Sequence, residues 1–276
     1  MTYATVMVAL SIDRTNKSRL EVAGQLAERF SARVIGITAA EYGPPLYFTS
    51  GRQGQELVEQ GRAAIKTGVA QLESEFRKAV QNRCAEAEWR CAEDFPSRYI
   101  VEQARACDIL VVGEADRGGI SDPFAQINPS DLVMQAGRPL LVVADDCDWL
   151  DLRSVLIGWK DTAEARRAAA DALPMLQKAT DVTVVEVVEE ESHRAATQSR
   201  VRDVVAWLAR HGVRASELVP DQCGEPTAQL ERIAGELGAG VIVAGAYGHS
   251  RLREWVLGGV TRRLVNPSSR CSLLSR

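Results

Sequence analysis

The chain repeats itself, and this repeat constrains its fold more than any other feature. The segment CDILVVGEADRGG, which begins at Cys107, aligns with AGVIVAGAYGHSR, which begins at Ala239, at a shift of 132 positions. Nearer the start of each copy, VMVAL from Val6 aligns with VLIGW from Val155 at a shift of 149 positions. Both copies keep the same order of apolar runs, which indicates one structural unit used twice.

The repeat divides the 276 residues into two domains of ordinary size. We predict domains 1–147 and 148–276, with the boundary in the acidic segment 145–151. The first copy is longer by 17 residues in its middle, and its Gly/Pro-rich segment 39–54 has no evident counterpart in the second copy.

Each copy alternates short β-branched runs with segments of helical periodicity. This alternation predicts βαβ units and a parallel sheet covered by helices on both faces. The first copy contains an unusually long helical segment over 54–81. In the second copy the predicted strands are 153–159, 181–188, 213–220, 239–246 and 271–275, and the predicted helices are 162–179, 199–212, 225–238 and 260–265.

Glycines cluster after the fourth predicted strand of the second copy. Ligands of open parallel sheets bind beyond the carboxyl ends of strands, and Gly245 lies at such an end. If 260–265 is helical, its free N–H groups point towards the same place, where a phosphate would be well held and Thr261 could add a hydroxyl. The sequence contains neither the dinucleotide fingerprint nor the P-loop. From spacing alone, glycines that serve only turns and close packing are an equally good interpretation.

The order G-x-x-G, nine residues, then G resembles the nucleotide-binding signature of the universal stress protein family. Gly245, Gly248 and Gly258 match it one for one. The whole chain resembles the tandem type, with two such domains in one polypeptide. The resemblance implies an α/β fold of two flavodoxin-like (adenine nucleotide alpha hydrolase-like) three-layer sandwiches, each with a five-stranded, mostly parallel sheet.

The resemblance also implies a ligand for the second domain: ATP, or ADP or AMP, with Mg²⁺ as an optional companion. His249 lies in the glycine loop, where it could touch this ligand. The implied nucleotide-binding residues are Gly245, Gly248, His249, Gly258, Gly259, Thr261 and Asp161.

Two positions of the second domain differ from the nucleotide-binding branch of that family. The branch has Ser or Thr directly after the third glycine, where this chain has Gly259. It also has Asp at the end of the first strand, where the nearest residues are Lys160 and Asp161. Asp161 with Glu164 also fits a helix N-cap and its third-position partner, and we favour that role over ligand contact.

The first domain departs further from the motif. Asp116, Gln126 and Ile127 stand where the second domain has its last three glycines. A carboxylate near a phosphate is repelled by about 1–4 kcal/mol at 4 Å for effective dielectric constants between those of water and a protein surface. We therefore expect the first domain to bind no nucleotide in this way and to act as a packing partner.

Composition and spacing exclude several other classes. The net charge of −4 does not suggest a nucleic-acid partner. No apolar run approaches the roughly 20 residues of a membrane helix, and the start lacks the features of a signal peptide, so we expect no membrane and a cytoplasmic location. The six scattered cysteines fit small buried apolar residues in a reduced protein. The three histidines lack metal-ligand spacing, and we expect no metal site.

The resemblance therefore implies a regulatory adenine-nucleotide binder that acts in the stress response. No catalytic residue can be identified, so we expect at most a weak ATPase. An alternative is an interaction module that binds no nucleotide and works as a homodimer or an intramolecular pseudo-dimer. Segments 138–144 and 270–275 are then the strands that would pair between domains or chains.

Overall fold

The computed structural model of the chain describes residues 2–42, 51–115, 126–188, 190–246 and 269–276. This part of the chain forms ten strands and seven α-helices. The strands are β1 (Thr5–Ala9), β2 (Arg33–Ala39), β3 (Ala87–Ala92), β4 (Ile109–Gly113), β5 (Leu140–Val143), β6 (Ser154–Gly158), β7 (Asp181–Val185), β8 (Ala215–Leu218), β9 (Val241–Gly245) and β10 (Cys271–Ser275). The helices are α1 (Lys17–Phe30), α2 (Gly51–Val80), α3 (Pro96–Gln103), α4 (Pro129–Gln135), α5 (Ala163–Leu176), α6 (Arg194–Arg210) and α7 (Pro226–Glu236).

The strands form a single sheet in the order β3-β2-β1-β4-β5-β10-β9-β6-β7-β8. Strands β1–β5 are parallel to one another, and so are β6–β10. The predicted α/β fold of two five-stranded parallel units is therefore confirmed. The central strands of the two units pair in the same register. Val6 of β1 lies opposite Ile109 of β4, and Val155 of β6 lies opposite Val241 of β9. These pairs are related by the two sequence shifts of the repeat.

Strands β5 and β10 join the units in antiparallel pairing, with Leu141 opposite Leu273. Segments 138–144 and 270–275 thus pair between the two halves of one chain. Each of these strands has a second neighbour, β4 for β5 and β9 for β10, so neither is a free edge for a second chain. The outer edges of the sheet are β3 and β8.

Helices cover both faces of the sheet, as the continuous apolar runs of the strands require. Helices α1, α2, α5 and α6 pack on one face, with Leu26, Phe76, Leu173 and Leu208 in its core. Helices α3, α4 and α7 pack on the other face, with Ile100, Leu132 and Ile233 in its core. Each core includes residues of both units.

Side-chain contacts also cross the junction between the two units, where β5 pairs with β10; we call this junction the seam. The Tyr3 hydroxyl donates to the Asp171 carbonyl at 2.7 Å, and burial raises the pKa of Tyr3. The predicted bounds 1–147 and 148–276 stay a prediction, because one sheet and two shared cores join the units.

Some boundaries differ from the sequence prediction. Helix α6 begins at Arg194, five residues before the predicted start at 199. The extra length of the first copy falls between β2 and β3, where α2 has 30 residues and the equivalent α6 has 17.

Candidate functional site

Each unit has one place where its strand order reverses. Strand β1 lies between β2 and β4, and β6 lies between β7 and β9. The crevice at such a switch point, beyond the carboxyl ends of the two central strands, is where open α/β sheets bind ligands. The candidate sites are therefore the ends of β1 and β4 in the first unit and the ends of β6 and β9 in the second.

Gly245 ends β9 and faces the first turn of α5. A Cβ atom at Gly245 would lie 2.5 Å from the backbone nitrogen of Ala165 and 2.7 Å from the carbonyl carbon of Glu164. Both neighbours are backbone atoms and cannot rotate away. Close packing therefore requires this glycine, whether or not a ligand binds beside it. The amino end of α5 thereby lies at the switch point of the second unit.

Thr162, rather than Asp161, caps helix α5. The Thr162 hydroxyl accepts a hydrogen bond from the Ala165 N–H at 3.3 Å. Asp161 instead pairs with Arg166 at 2.5 Å, with both side chains more than half exposed. The prediction that Asp161 and Glu164 form the cap was wrong, because the chain enters the helix one residue later.

A half-buried ion pair lies beyond the end of β7, next to the switch point. Glu186 is 7% exposed, and its carboxylate accepts from the Arg200 guanidinium of α6 at 2.7 Å. Arg200 also donates to the Thr197 hydroxyl at 2.9 Å. The hydrogen bond from Arg200 to Glu186 raises the pKa of Arg200, and the nearby Asp161 adds to this effect. Sequence reasoning missed this pair; its only signal is one glutamate within the apolar run DVTVVEVV.

Three buried polar atoms beyond the carboxyl ends of β6 and β7 have no hydrogen-bond partner among the described residues. They are the indole Nε1 of Trp159, the Oε2 of Glu186 and the Nε of Arg200. Trp159 directly follows β6, and its backbone N–H donates to the Val185 carbonyl at 2.8 Å. Its side chain is 9% exposed and belongs to the core, as the sequence predicted. Buried polar atoms are normally paired, so two donors and an acceptor here need an explanation.

In the first unit, a side chain of the protein occupies the switch point. Arg19, in the first turn of α1, is 3% exposed. Its guanidinium donates to the Ala9 carbonyl at 3.2 Å, the Ser11 hydroxyl at 3.2 Å and the Thr15 carbonyl at 2.6 Å. Desolvation lowers its pKa to about 10, with a further contribution from Arg14, so the group remains charged at neutral pH.

The cleft around Arg19 is closed further by a second arginine. Arg14 donates to the Glu114 carbonyl at 2.9 Å and to the Asp145 carboxylate at 2.7 Å. Gln126 and Ile127, which replace glycines of the motif, line the same cleft. In the first unit the Arg19 side chain therefore fills the crevice, and residues of the same unit accept its hydrogen bonds.

The two crevices differ because the loops before their helices differ in length. Seven residues separate β1 from α1, and four separate β6 from α5. Arg19 and Ala165 are each the third residue of their helix. The shorter loop seats the α5 backbone directly on Gly245, whereas the longer loop leaves room beside Gly113 that the Arg19 side chain fills.

The described residues include only part of the predicted site. Gly245 ends β9 at the switch point of the second unit, and Asp161 lies in the segment between β6 and α5. The other predicted residues, Gly248, His249, Gly258, Gly259 and Thr261, lie outside the described residues, as does the predicted helix 260–265. Among the described residues no three acidic, His or Cys side chains form a group that could hold a metal ion. No described helix is long and apolar enough to cross a membrane.

Solved structures share this architecture along the whole chain. A universal stress protein from Archaeoglobus fulgidus DSM 4304 superposes with a TM-score of 0.73 at 13% identity, over 99% of this chain and 96% of that one. A protein described as a putative universal stress protein from Pseudomonas aeruginosa UCBPP-PA14 gives 0.59 at 16% identity, over 99% and 93% of the two chains. A protein of unknown function from Pseudomonas aeruginosa PAO1 gives 0.59 at 15% identity, over 99% and 92%.

Sequence comparison adds nothing to these structural matches. No protein-family model and no curated protein matches the chain. The resemblance drawn from the glycine spacing is confirmed at the level of the fold: over its full length, the chain has the fold of a universal stress protein.

Proposed function

We propose that the chain is a tandem universal stress protein whose second unit binds an adenine nucleotide and acts as a regulator rather than as an enzyme. The supporting observation is the position of Gly245, which ends β9 at the switch point and admits the amino end of α5. The remaining glycines of the motif follow directly in sequence. The first unit acts as a packing partner, because Arg19 already fills its crevice.

The described residues fit a nucleotide in the second unit. Helix amino ends favour phosphate through the helix dipole, and the amino end of α5 lies at the crevice. The unpartnered atoms of Trp159, Glu186 and Arg200 offer two donors and one acceptor for the polar edges of a nucleoside. When bound, the nucleotide supplies phosphate groups whose negative charge the positive end of the α5 helix dipole stabilises. Gly248, His249, Gly258, Gly259 and Thr261 are the proposed loop contacts, with Mg²⁺ as an optional companion of the phosphates.

The first experiment identifies any nucleotide that the protein retains. The full chain is purified without added nucleotide and denatured, and the released small molecules are analysed by mass spectrometry. We expect ATP, ADP or AMP from the wild type and none from Gly248→Asp, which copies the aspartate of the first copy. Ala170→Asp adds the same charge on the exposed side of α5 and serves as the control that keeps its nucleotide.

A second candidate function is supported by the same glycine. Packing against α5 alone accounts for Gly245, so the motif also fits an interaction module that binds no nucleotide. In that case no nucleotide is released, none binds at millimolar ATP, and the chain associates through surfaces other than β5 and β10, which already pair with each other. Sedimentation measures whether the nucleotide-free protein self-associates. Self-association without any nucleotide binding supports the interaction module over the nucleotide binder.

The cytoplasm is the proposed location. All six cysteines are free thiols, which suits a reducing compartment.

A further inference from the structure

Two thiols from distant parts of the chain touch at the seam between the units. The Sγ atoms of Cys147 and Cys271 are 3.7 Å apart, although the residues are separated by 124 positions in the sequence. Cys271 is fully buried, and Cys147 keeps 8% of its surface exposed. The sequence assigned both residues only a packing role.

The backbone holds both thiols in place. Cys271 begins β10 and lies between Val143 of β5 and Val241 of β9. Cys147 lies in a turn in which its N–H donates to the Ala144 carbonyl at 3.0 Å. The contact between the sulfurs is therefore built into the seam.

Helix α1 fixes the segment that carries Cys147. The Ser18 hydroxyl donates to the Asp145 carbonyl at 2.6 Å, and the Gln25 side chain accepts from the Leu150 N–H at 2.8 Å. Gln25 also donates to the Asp148 carbonyl at 2.9 Å. These bonds lie on both sides of Cys147 and keep it against β10.

We propose that Cys147 and Cys271 are an oxidant-responsive pair that closes to an intramolecular disulfide when the protein meets a hydroperoxide. A disulfide has an S–S distance of about 2.05 Å, so the two sulfurs must approach by roughly 1.7 Å. Side-chain rotation can supply a movement of this size without displacing the strands. The proposal does not depend on nucleotide binding.

The chemistry has two steps. The Cys147 thiolate attacks the peroxide oxygen, which breaks the O–O bond, gives a sulfenic acid on Cys147 and releases the alcohol or water. The Cys271 sulfur then attacks the sulfenic sulfur, forms the S–S bond and expels the oxygen as water. The two thiols together lose two electrons and two protons, and the hydroperoxide is reduced. A dithiol reductant restores both thiols.

The geometry assigns the attacking role to Cys147. It is the more exposed of the two, so a small oxidant reaches it first. The hydrogen bond from the Cys271 thiol stabilises the Cys147 thiolate and lowers the pKa of Cys147, with a smaller contribution from the Trp149 backbone, while burial and Asp146 and Asp148 act in the opposite direction. The same contact and complete burial raise the pKa of Cys271, which suits the resolving thiol.

The disulfide would close the second unit into a covalent ring. Strands β6 to β9 all lie between the two cysteines, and β10 begins at Cys271. The ring would also tie the start of β10 to the segment held by α1, so oxidation would link the two units at their seam.

Peptide mass spectrometry of the full chain tests the pair. The reduced native protein is treated with hydrogen peroxide, denatured, blocked with iodoacetamide and digested without a reductant. We expect a peptide pair joined through Cys147 and Cys271, lighter by two hydrogens than the separate peptides and separated by dithiothreitol. On a non-reducing gel the unfolded oxidised monomer migrates faster than the reduced one, because its ring is more compact.

Matched variants identify the thiols. Cys147→Ser and Cys271→Ser each abolish the linked peptide and the faster band, whereas the double variant Cys91→Ser/Cys223→Ser, at two exposed thiols, keeps both. Cys107 is a buried control within the wild type, because its thiol donates to the Ala104 carbonyl and burial raises its pKa to about 12. It should remain fully alkylated after denaturation.

Two results would overturn the proposal. In one, Cys147 and Cys271 are both recovered as iodoacetamide-alkylated thiols, and therefore stayed reduced, under conditions that oxidise Cys91 or Cys223. In the other, Cys147 accumulates as sulfinic or sulfonic acid with Cys271 still a free thiol, which would mean that the sulfurs cannot close.

Discussion

Arg19 and Gly113 share one small space in the first unit. A Cβ atom on Gly113 would lie 3.0 Å from the Nε and 3.1 Å from the Cζ of Arg19. In the second unit the equivalent Gly245 faces the backbone of α5 instead. The equivalent strand ends thus carry glycine in both units for two different steric reasons. The effect of an added methyl group on the free energy of unfolding tests each of them.

Arg19 and Gly113 should be energetically coupled. Arg19→Ala leaves the buried Ala9 carbonyl and Ser11 hydroxyl without this donor and should lower the free energy of unfolding by about 2–4 kcal/mol. Gly113→Ala should cost about 1 kcal/mol beside Arg19, because the guanidinium must shift by a few tenths of an ångström. In the Arg19→Ala background this second cost should disappear.

Urea unfolding of the wild type, both single variants and the double variant measures this coupling. We expect about 0.5–1 kcal/mol. Gly158→Ala combined with Arg19→Ala is the control, since Gly158 ends β6 in the other unit and its effect should be additive. An additive Arg19/Gly113 pair would show that the guanidinium does not occupy this space.

Gly245→Ala should destabilise the protein more than Gly113→Ala does. The added methyl would lie 2.5 Å from the Ala165 nitrogen, so the first turn of α5 must move, at a cost of about 1–3 kcal/mol. Gly158→Ala adds the same methyl at the end of β6, where the nearest atom is the Leu230 Cδ1 at 3.4 Å, and should change the stability little. Equal unfolding midpoints for Gly245→Ala and Gly158→Ala would contradict the close packing of α5.

The repeated hydrophobic pattern predicted most of the fold. Strands such as 239–246 and 271–275 are short apolar runs, and their burial depends mainly on local composition and periodicity. The prediction of 271–275 agrees with β10 in full, because a strand between two neighbours has no frayed edge. The start of α6 was placed five residues late, since polar residues such as Arg194 give no periodic signal.

The two crevices could not be predicted in the same way. Arg19 lies in the polar segment KSRLEV, and its burial depends on a loop three residues longer than the one before α5. The Glu186–Arg200 contact joins residues from two different elements, and no local pattern specifies it. The contact between Cys147 and Cys271 depends on the β5–β10 pairing, which spans most of the second unit.

Thr162 and Asp161 should differ in their contribution to stability. Thr162→Ala removes the N-cap of α5 and should cost about 1 kcal/mol. Asp161→Ala removes an exposed ion pair with Arg166 and a weak attraction to Arg200, and should cost less than about 0.5 kcal/mol. Thermal or urea unfolding of the two variants compares them directly. A larger loss for Asp161→Ala would restore the capping role that the sequence suggested for it.

Glu88 should make the edge strand β3 sensitive to acid. The hydrogen bond from Arg90 at 2.6 Å, with a second from Arg33 at 2.9 Å, lowers the pKa of Glu88 below its usual value. A lowered folded-state pKa stabilises the protein above the unfolded-state pKa of about 4.3, and this contribution is lost as the pH falls through the folded-state value. The carboxylate is 36% exposed, so we expect less than about 1 kcal/mol.

Unfolding measured between neutral pH and the acid range tests this contribution. Glu88→Gln should be less stable than the wild type at pH 7, and the difference should shrink as the pH falls below about 4, because the wild-type carboxylate becomes protonated there. Glu86→Gln removes a neighbouring contact to the same Arg33 from a side chain that is 63% exposed, and should lower the stability at pH 7 less than Glu88→Gln does. A constant difference between Glu88→Gln and the wild type at every pH would mean that the variant acts through packing, and that the charge of Glu88 contributes nothing to the edge of the sheet.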